Sequence, residues 1–402
     1  MDLYIVPNDT AKAFGAASLD GSPPGYWFTA ATNASLKDTW VLFFDGGGWC
    51  FDEVHCAARS ASSLGSSTLL NKTMLLYYGV VSPFPQHNAL AGANRAILAY
   101  TDGASFSGMR EDPVVYRKKT MWFRGFANLR SILQDLEDRH GMGTAKKVLV
   151  SGGSAGGLAA YIHAPYIASR FPQAATGSAP CSGYFPDFAN AAGDLVYGNA
   201  MIHAAWMQNV TGLLNPACVA AQSPGEEWRC FMSPQAYAHS PVPTFVINSA
   251  WDSASLGAIF TASVQNVSWD SNNTVSAGLP GWESCGGDFQ KCNSSQVGAW
   301  NGFADSLVGQ INSTDKFHSP GNGAFVHSCI IHMASLGPDW ASSRIGNVLF
   351  KDAFEAWWFG NFGGAGEPVP PTLQPSSDHS YLPECELHTV KPYACNPTCQ
   401  GI

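Results

Sequence analysis

Ser154 lies in the stretch KVLVSGGSAGGLAAYIHA, residues 147 to 164, where a β-branched run is followed by a Gly-X-Ser-X-Gly turn and then an alanine-rich run. A serine hydroxyl attacks an ester only when the chain presents it openly and a base takes its proton. Small residues at Gly152 and Gly156 leave room for the tight strand-to-helix turn that lifts such a hydroxyl clear of a sheet. In a chain with 41 glycines the pattern alone could arise by accident. Its position between a strand-like and a helix-like segment makes Ser154 a candidate nucleophile.

A serine of this kind needs a histidine base, a carboxylate to orient it, and backbone donors for the oxyanion, in the chain order Ser, acid, His. TFVINSAWDS puts Asp252 three residues past a strand-like run, and GAFVHSCIIHMAS puts His332 shortly after another. An aspartate after a strand often only caps a helix, and a lone histidine is often a hydrogen-bonded structural residue. The shared order and placement favour chemistry here. His327, within or at the end of its strand, and His318, in a Ser/Pro/Gly loop, are rivals for the base. In FFDGGGWC the amides of Gly47 and Gly48 can approach the serine without side chains, and Ala155 supplies the other donor; a plain hairpin turn is the alternative. Trp49, Phe106 and Trp251 adjoin these motifs. At least one is expected to narrow the acyl side or stack on a sugar ring, ordinary core packing being the alternative for each.

The elements that must position these groups are legible as short apolar runs with turn signals after them: 25 to 30, 40 to 44, 96 to 100, 147 to 151, 244 to 249 and 324 to 328. These read as strands. Between the third and fourth, residues 122 to 139 set Phe126, Leu129, Leu133 and Leu136 at helical spacing. Strand, helix and strand in alternation imply a mostly parallel sheet covered on both faces, a three-layer α/β sandwich. With no repeat and no long linker, residues 1 to 402 read as a single catalytic domain. Residues 181 to 240 and 265 to 323 lack clear strands and are expected to be lid-like insertions around the sheet edge.

Composition narrows the partners. Charged residues are 13% of the chain and the formal net charge is −9, so no basic stripe exists to attract nucleic acid. No apolar run approaches the roughly 20 residues that cross a bilayer. Eleven cysteines, several closely spaced, point to an oxidising compartment. Pairs are expected between Cys50 and Cys56, bracing the glycine loop, and between Cys285 and Cys292; the odd count leaves at least one cysteine unpaired or bridged to another chain. Eight of the 21 asparagines (Asn8, Asn33, Asn71, Asn209, Asn266, Asn272, Asn293 and Asn312) open an Asn-X-Ser/Thr sequon. Roughly three would arise by chance, so secretion is favoured. The chain opens MDLYIVPNDT, without a charged and apolar leader, and a signal peptide is expected to precede it. Cys385, His388, Cys395 and Cys399 have spacings zinc could accept, but a disulfide clasp suits a secreted chain better, and HExxH is absent.

GGGWC, DGASFSG (102 to 108), GGSAGG, SAWDS, GAFVHSCIIH and CNPTC together resemble the motifs of plant pectin acetylesterases, which form one α/β-hydrolase family with the Notum carboxylesterases. The likeness covers nearly the whole chain in the family's order. It implies a triad at Ser154, Asp252 and His332, which favours His332 over its rivals, and a disulfide at the C-terminal clasp. The sequence departs at Ser18, Thr101 and Gly153, where plant members typically carry cysteine, so the disulfide set is not inherited whole. Notum loops read closer to GGWYC and lack DGASFSG and CNPTC. The expectation is a monomeric, secreted serine esterase of the extracellular space or cell wall that needs no cofactor and removes acetyl groups from a polysaccharide such as pectin. A deacylase of a lipid-modified protein and a catalytically silent glycan-binding protein are the alternatives.

Overall fold

The computed structural model describes residues 1–260, 281–282, 284–285, 289–363, 379–383 and 396–399. Its strands are β1 (Asp2–Ile5), β2 (Gly25–Thr29), β3 (Thr39–Phe44), β4 (Asn94–Leu98), β5 (Val114–Tyr116), β6 (Lys119–Met121), β7 (Lys147–Gly153), β8 (Ala175–Cys181), β9 (Phe245–Ser249), β10 (Gly323–His327), β11 (Arg344–Ile345), β12 (Val348–Leu349) and β13 (Ser380–Tyr381). Nine of them form one sheet in the order β1-β2-β4-β3-β7-β8-β9-β10-β13. β2 pairs antiparallel with β1 and β4, and every other neighbouring pair is parallel. β5 with β6, and β11 with β12, are small hairpins apart from it.

A mostly parallel sheet has to be covered on both faces, and the side chains of β3 divide accordingly. Trp40, Leu42 and Phe44 enter one core with Leu129, Ile132, Leu133 and Leu136 of the helix Gly125–His140. Val41 and Phe43 enter the other with Trp340, Phe350 and Trp357. Every residue of β3 is buried, as a central strand requires. The expected crossover helix is present with its boundaries moved to Gly125–His140, and Gly141 ends it at φ 77. Phe126 is only partly buried, so Ile132 completes the apolar stripe in its place.

The strand that composition hides is β8, ATGSAPC, which sits between β7 and β9. Its small residues are a packing requirement, since a side chain on Gly177 would collide with the ring of Phe362. The first insertion leaves from the carboxyl end of β8 and so rises from the middle of the sheet. It holds the helices Val196–Gln208, Pro216–Ala221 and Ser233–Ala238. The described part of the second insertion is dominated by the helix Ser294–Asn312.

Cys50–Cys56 and Cys285–Cys292 are bridged as expected, and Cys218–Cys230 and Cys329–Cys399 are bridged as well. The partner of Cys399 is thus the distant Cys329, which removes it from the zinc-like set; Cys385, His388 and Cys395 lie outside the described residues. Cys181 is a buried free thiol whose neighbour in the β7–β8 ladder is Gly153. The other two departures from the plant cysteine pattern face each other: Ser18 Oγ donates to Thr101 Oγ1 at 2.9 Å in a buried contact. Asn8, Asn33, Asn71, Asn209, Asn293 and Asn312 are all exposed, while Asn266 and Asn272 lie outside the described residues. Among the described residues no helix is long and apolar enough to cross a membrane.

Candidate active site

Four turns gather at the carboxyl ends of parallel strands, where open α/β sheets build their sites. After β7 the chain turns into the helix Ala155–Arg170, and Ser154 holds the joint at φ 59, ψ −125. That is a conformation a side chain adopts only when the surroundings enforce it, and the glycines show the enforcement. A Cβ on Gly152 would strike the backbone of Gly156, and one on Gly156 would strike the carbonyls of Phe44 and Asp45. The Ser154 N–H donates to the Cys181 carbonyl at 3.0 Å. Between buried neighbours, Ser154 itself is partly exposed.

Asp252 follows β9 and is 1% exposed. One carboxylate oxygen accepts the Ser255 N–H at 2.9 Å, capping the helix Ser253–Phe260, and the other accepts from His332 Nδ1 at 2.7 Å. Helix capping and histidine binding, alternatives on paper, coexist in one side chain. With its Nδ1 proton directed at the carboxylate, His332 has Nε2 left to accept a proton. Burial pulls the His332 pKa down, but the charge of Asp252 and its hydrogen bond outweigh this, so the net shift is upward. The rivals are elsewhere. His327 is 1% exposed, its Nδ1 accepts the Cys329 N–H, and burial lowers its pKa to about 4. His318 lies before the start of β10, at the other end of that strand, and contacts the Asn312 carbonyl at 2.6 Å.

The loop that carries His332 is fastened by a residue with no motif around it. Met333, at φ 61, donates its N–H to Ser182 Oγ at 2.9 Å, and Ser182, at φ 46, donates its own N–H to the Ile247 carbonyl at 2.8 Å. The Met333 thioether occupies the space a Cβ on Gly153 would need. The dipeptide Cys181–Ser182 therefore touches both partners, its carbonyl holding the Ser154 amide and its hydroxyl holding the residue after His332.

The loop after β3 comes close on the other side, since a Cβ on Gly46 would lie 3.2 Å from Ser154 Cβ and strike the Gly153 carbonyl. Gly47 and Gly48 have φ of 144° and 66°, which glycine adopts without strain. Arg59 Nη1 donates to the Gly47 carbonyl and the Tyr100 hydroxyl to the Gly48 carbonyl, each at 2.8 Å. The Arg59 guanidinium also lies 4.8 Å above the Tyr100 ring. The Trp49 indole N–H donates to Ser105 Oγ at 2.8 Å, and that hydroxyl donates to the Ala155 carbonyl at 2.7 Å, linking this loop to the first residue of the elbow helix. Asp102 gathers the N–H groups of Ala104 and Phe106, which shapes the DGASFSG turn; burial raises its pKa to about 6.

Of the three aromatic residues assigned to substrate, Phe106 is 1% exposed with its ring against Phe44 and Tyr100. It is a core residue beneath the loop, with no face left for a sugar. Trp49 packs edge-on against Phe185 and Trp251 donates to Asn301 Oδ1. Both are almost wholly buried, leaving an edge at most. The helix Val196–Gln208 is tied on both sides of this neighbourhood: Tyr197 packs on Trp49 and its hydroxyl donates to Ser255 Oγ, while Gln208 Nε2 donates to the carbonyls of Cys50 and Gly103.

The sheet order and the strand–turn–helix at Ser154 define an α/β-hydrolase-like fold. The chain belongs to the pectinacetylesterase family, a family of carboxylic ester hydrolases, whose family model matches residues 1–400. It is 29% identical to pectin acetylesterase 4 of Arabidopsis thaliana over 97% of this chain and 86% of that one. It is 25% identical to the palmitoleoyl-protein carboxylesterase Notum of Schmidtea mediterranea over 84% of this chain and 59% of that one. Among solved structures, the Wnt deacylase Notum from Drosophila superposes with a TM-score of 0.76 at 20% identity, covering 100% of this chain and 99% of the other, which is a likeness of fold.

Proposed function

We propose that this chain is a secreted serine esterase that removes O-acetyl groups from an extracellular polysaccharide such as pectin. The observation that carries the reading is the 2.7 Å contact between His332 Nδ1 and Asp252, on loops that converge on the Ser154 elbow. Ser154 attacks the acetyl carbonyl, and His332 Nε2 takes its proton and gives it to the departing sugar oxygen, which leaves as a hydroxyl. Asp252 steadies the imidazolium that forms in between. The amides of Gly47, Gly48 and Ala155 hold the oxyanion of the tetrahedral intermediate, and water repeats the sequence to release acetate. No cofactor enters the steps. Four disulfides and six exposed sequon asparagines favour export, and the first insertion serves as a fixed wall of the site, anchored through Tyr197 and Gln208.

The acyl group tests the reading. A deacetylase closes its acyl side with bulky groups, whereas a lipid deacylase gains roughly 0.8 kcal/mol for each methylene it buries. With one leaving group across acetyl, butyryl, octanoyl and hexadecenoyl esters, kcat/KM is expected to be highest for acetyl and to fall by butyryl. A steady climb toward the long chains would overturn the deacetylase assignment, and no turnover of any ester would overturn the enzyme assignment for this chain.

A further inference from the structure

Trp206 is the one exposed tryptophan among the described residues, with 63% of its surface open. It sits in the last turn of the helix Val196–Gln208. Three residues later comes Asn209, the first residue of Asn-Val-Thr. The helix stops there in a defined way. Asn209 adopts φ 54, ψ 56 and donates its N–H to the Trp206 carbonyl at 3.3 Å. Val210 is fully buried and donates its N–H to the Ala205 carbonyl at 3.1 Å, which anchors the turn and holds Asn209 outside. Asn209 thus lies just beyond the helix end, tied to the carbonyl of the residue that carries the indole. The indole leans back toward His203, with ring centroids 6.1 Å apart.

An exposed indole offers a flat apolar face that the C–H side of a sugar ring can cover, and the chain encodes a sugar-attachment sequon beside it. We propose that Asn209 carries an N-linked glycan whose first N-acetylglucosamine stacks its C–H face on Trp206. In the group transfer, Asn209 Nδ2 bonds to C1 of the sugar, the lipid pyrophosphate of the donor oligosaccharide leaves, and an amide proton is lost. A passing polysaccharide could also stack on an indole. The attached sugar has the advantage of its tether, which holds it at an effective concentration on the order of millimolar, so that the glycan occupies the ring first. The proposal rests on passage through a secretory route, as in the functional reading above.

The test uses the full chain secreted from a eukaryotic host as wild type, N209Q, T211A and W206A. Peptide mass spectrometry reads occupancy at Asn209. The glycans are then trimmed to a single N-acetylglucosamine bearing a 13C-acetyl label, and the methyl signals are read by NMR. Occupancy is expected, with one methyl resonance shifted upfield by the indole ring current. That resonance should vanish in both N209Q and T211A and return to its ordinary position in W206A, while hydrolysis of a small acetyl ester stays unchanged in all four. An unmodified Asn209, or a methyl resonance indifferent to W206A, overturns the proposal. A bare Asn209 with KM raised by W206A on acetylated polymer alone would assign the ring to substrate instead.

Discussion

The two loops that flank Ser154 are held in different ways. The glycine loop after β3 is tied by Arg59, Tyr100, Ser105 and the Cys50–Cys56 bridge, which draw on two further segments of the chain, the helix Glu53–Arg59 and residues 100 to 105. The His332 loop hangs on Asp252 and on the Ser182 hydroxyl and, further from the imidazole, on Ser249 at the Cys329 carbonyl, Ser335 at Cys181 and the Cys329–Cys399 bridge. One is a distributed scaffold in which each contact has neighbours that share its task. The other is a short series at its centre, where only the Asp252 and Ser182 contacts bear directly on the position of a single imidazole. Removing one hydrogen bond should therefore cost more on the histidine side, although the individual bonds are of similar length.

The largest effect sits at the centre of both. Ser154→Ala and His332→Ala should each lower kcat by a factor on the order of 10⁴ or more with the fold intact, while His327→Ala keeps most activity. A dead His327→Ala beside an active His332→Ala would reverse the assignment of the base. Asp252→Asn should come next. An asparagine oxygen can still cap Ser255, so the helix survives, but the charge that favours the imidazolium is gone. A base works when neutral, and the raised His332 pKa places the rise of kcat/KM with pH above the usual histidine value of about 6.5. In Asp252→Asn that midpoint should move down along with the rate; an unmoved midpoint would sever the link between the pair.

Ser182→Ala measures the asymmetry directly. It leaves the Met333 N–H without its partner, and kcat should fall on the order of tenfold with KM little changed. Ser105→Ala, on the better-braced side, should fall only about twofold to threefold. Equal losses in the two variants would end the distinction between series and scaffold. The smallest change lies away from the site. Ser18→Cys with Thr101→Cys should close a bridge, and after the lost hydrogen bond is offset the gain should be about 2 kcal/mol, read as a higher Tm that reductant abolishes.

The parts legible in the sequence were those whose chemistry forces a residue type. The elbow glycines have no room for a Cβ, the buried strand β3 carries the continuous apolar run 40 to 44 and β7 the run 148 to 150, and Cys50–Cys56 is a local pair. β8 was hidden because small residues are what its packing demands, and small residues carry no strand signal. Ser182 and Ser105 were hidden because their roles lie in contacts across 151 and 50 residues of sequence. Phe106 misled for the reverse reason: adjacency to a motif says nothing about which way a ring points, and this one points into the core.

The hydroxyl contact between Ser18 and Thr101 bears on how the chain is made. Oxidative folding has to find the right partners among all the thiols present, and in a chain of eleven cysteines one further pair multiplies the possible connectivities about thirteenfold. With serine and threonine at these positions, the N-terminal segment is joined to the DGASFSG turn with no thiol to mispair and no isomerase step to correct it. Fewer wrong isomers stand between synthesis and the native protein, and the yield of native chains gains what the joint gives up in covalent strength.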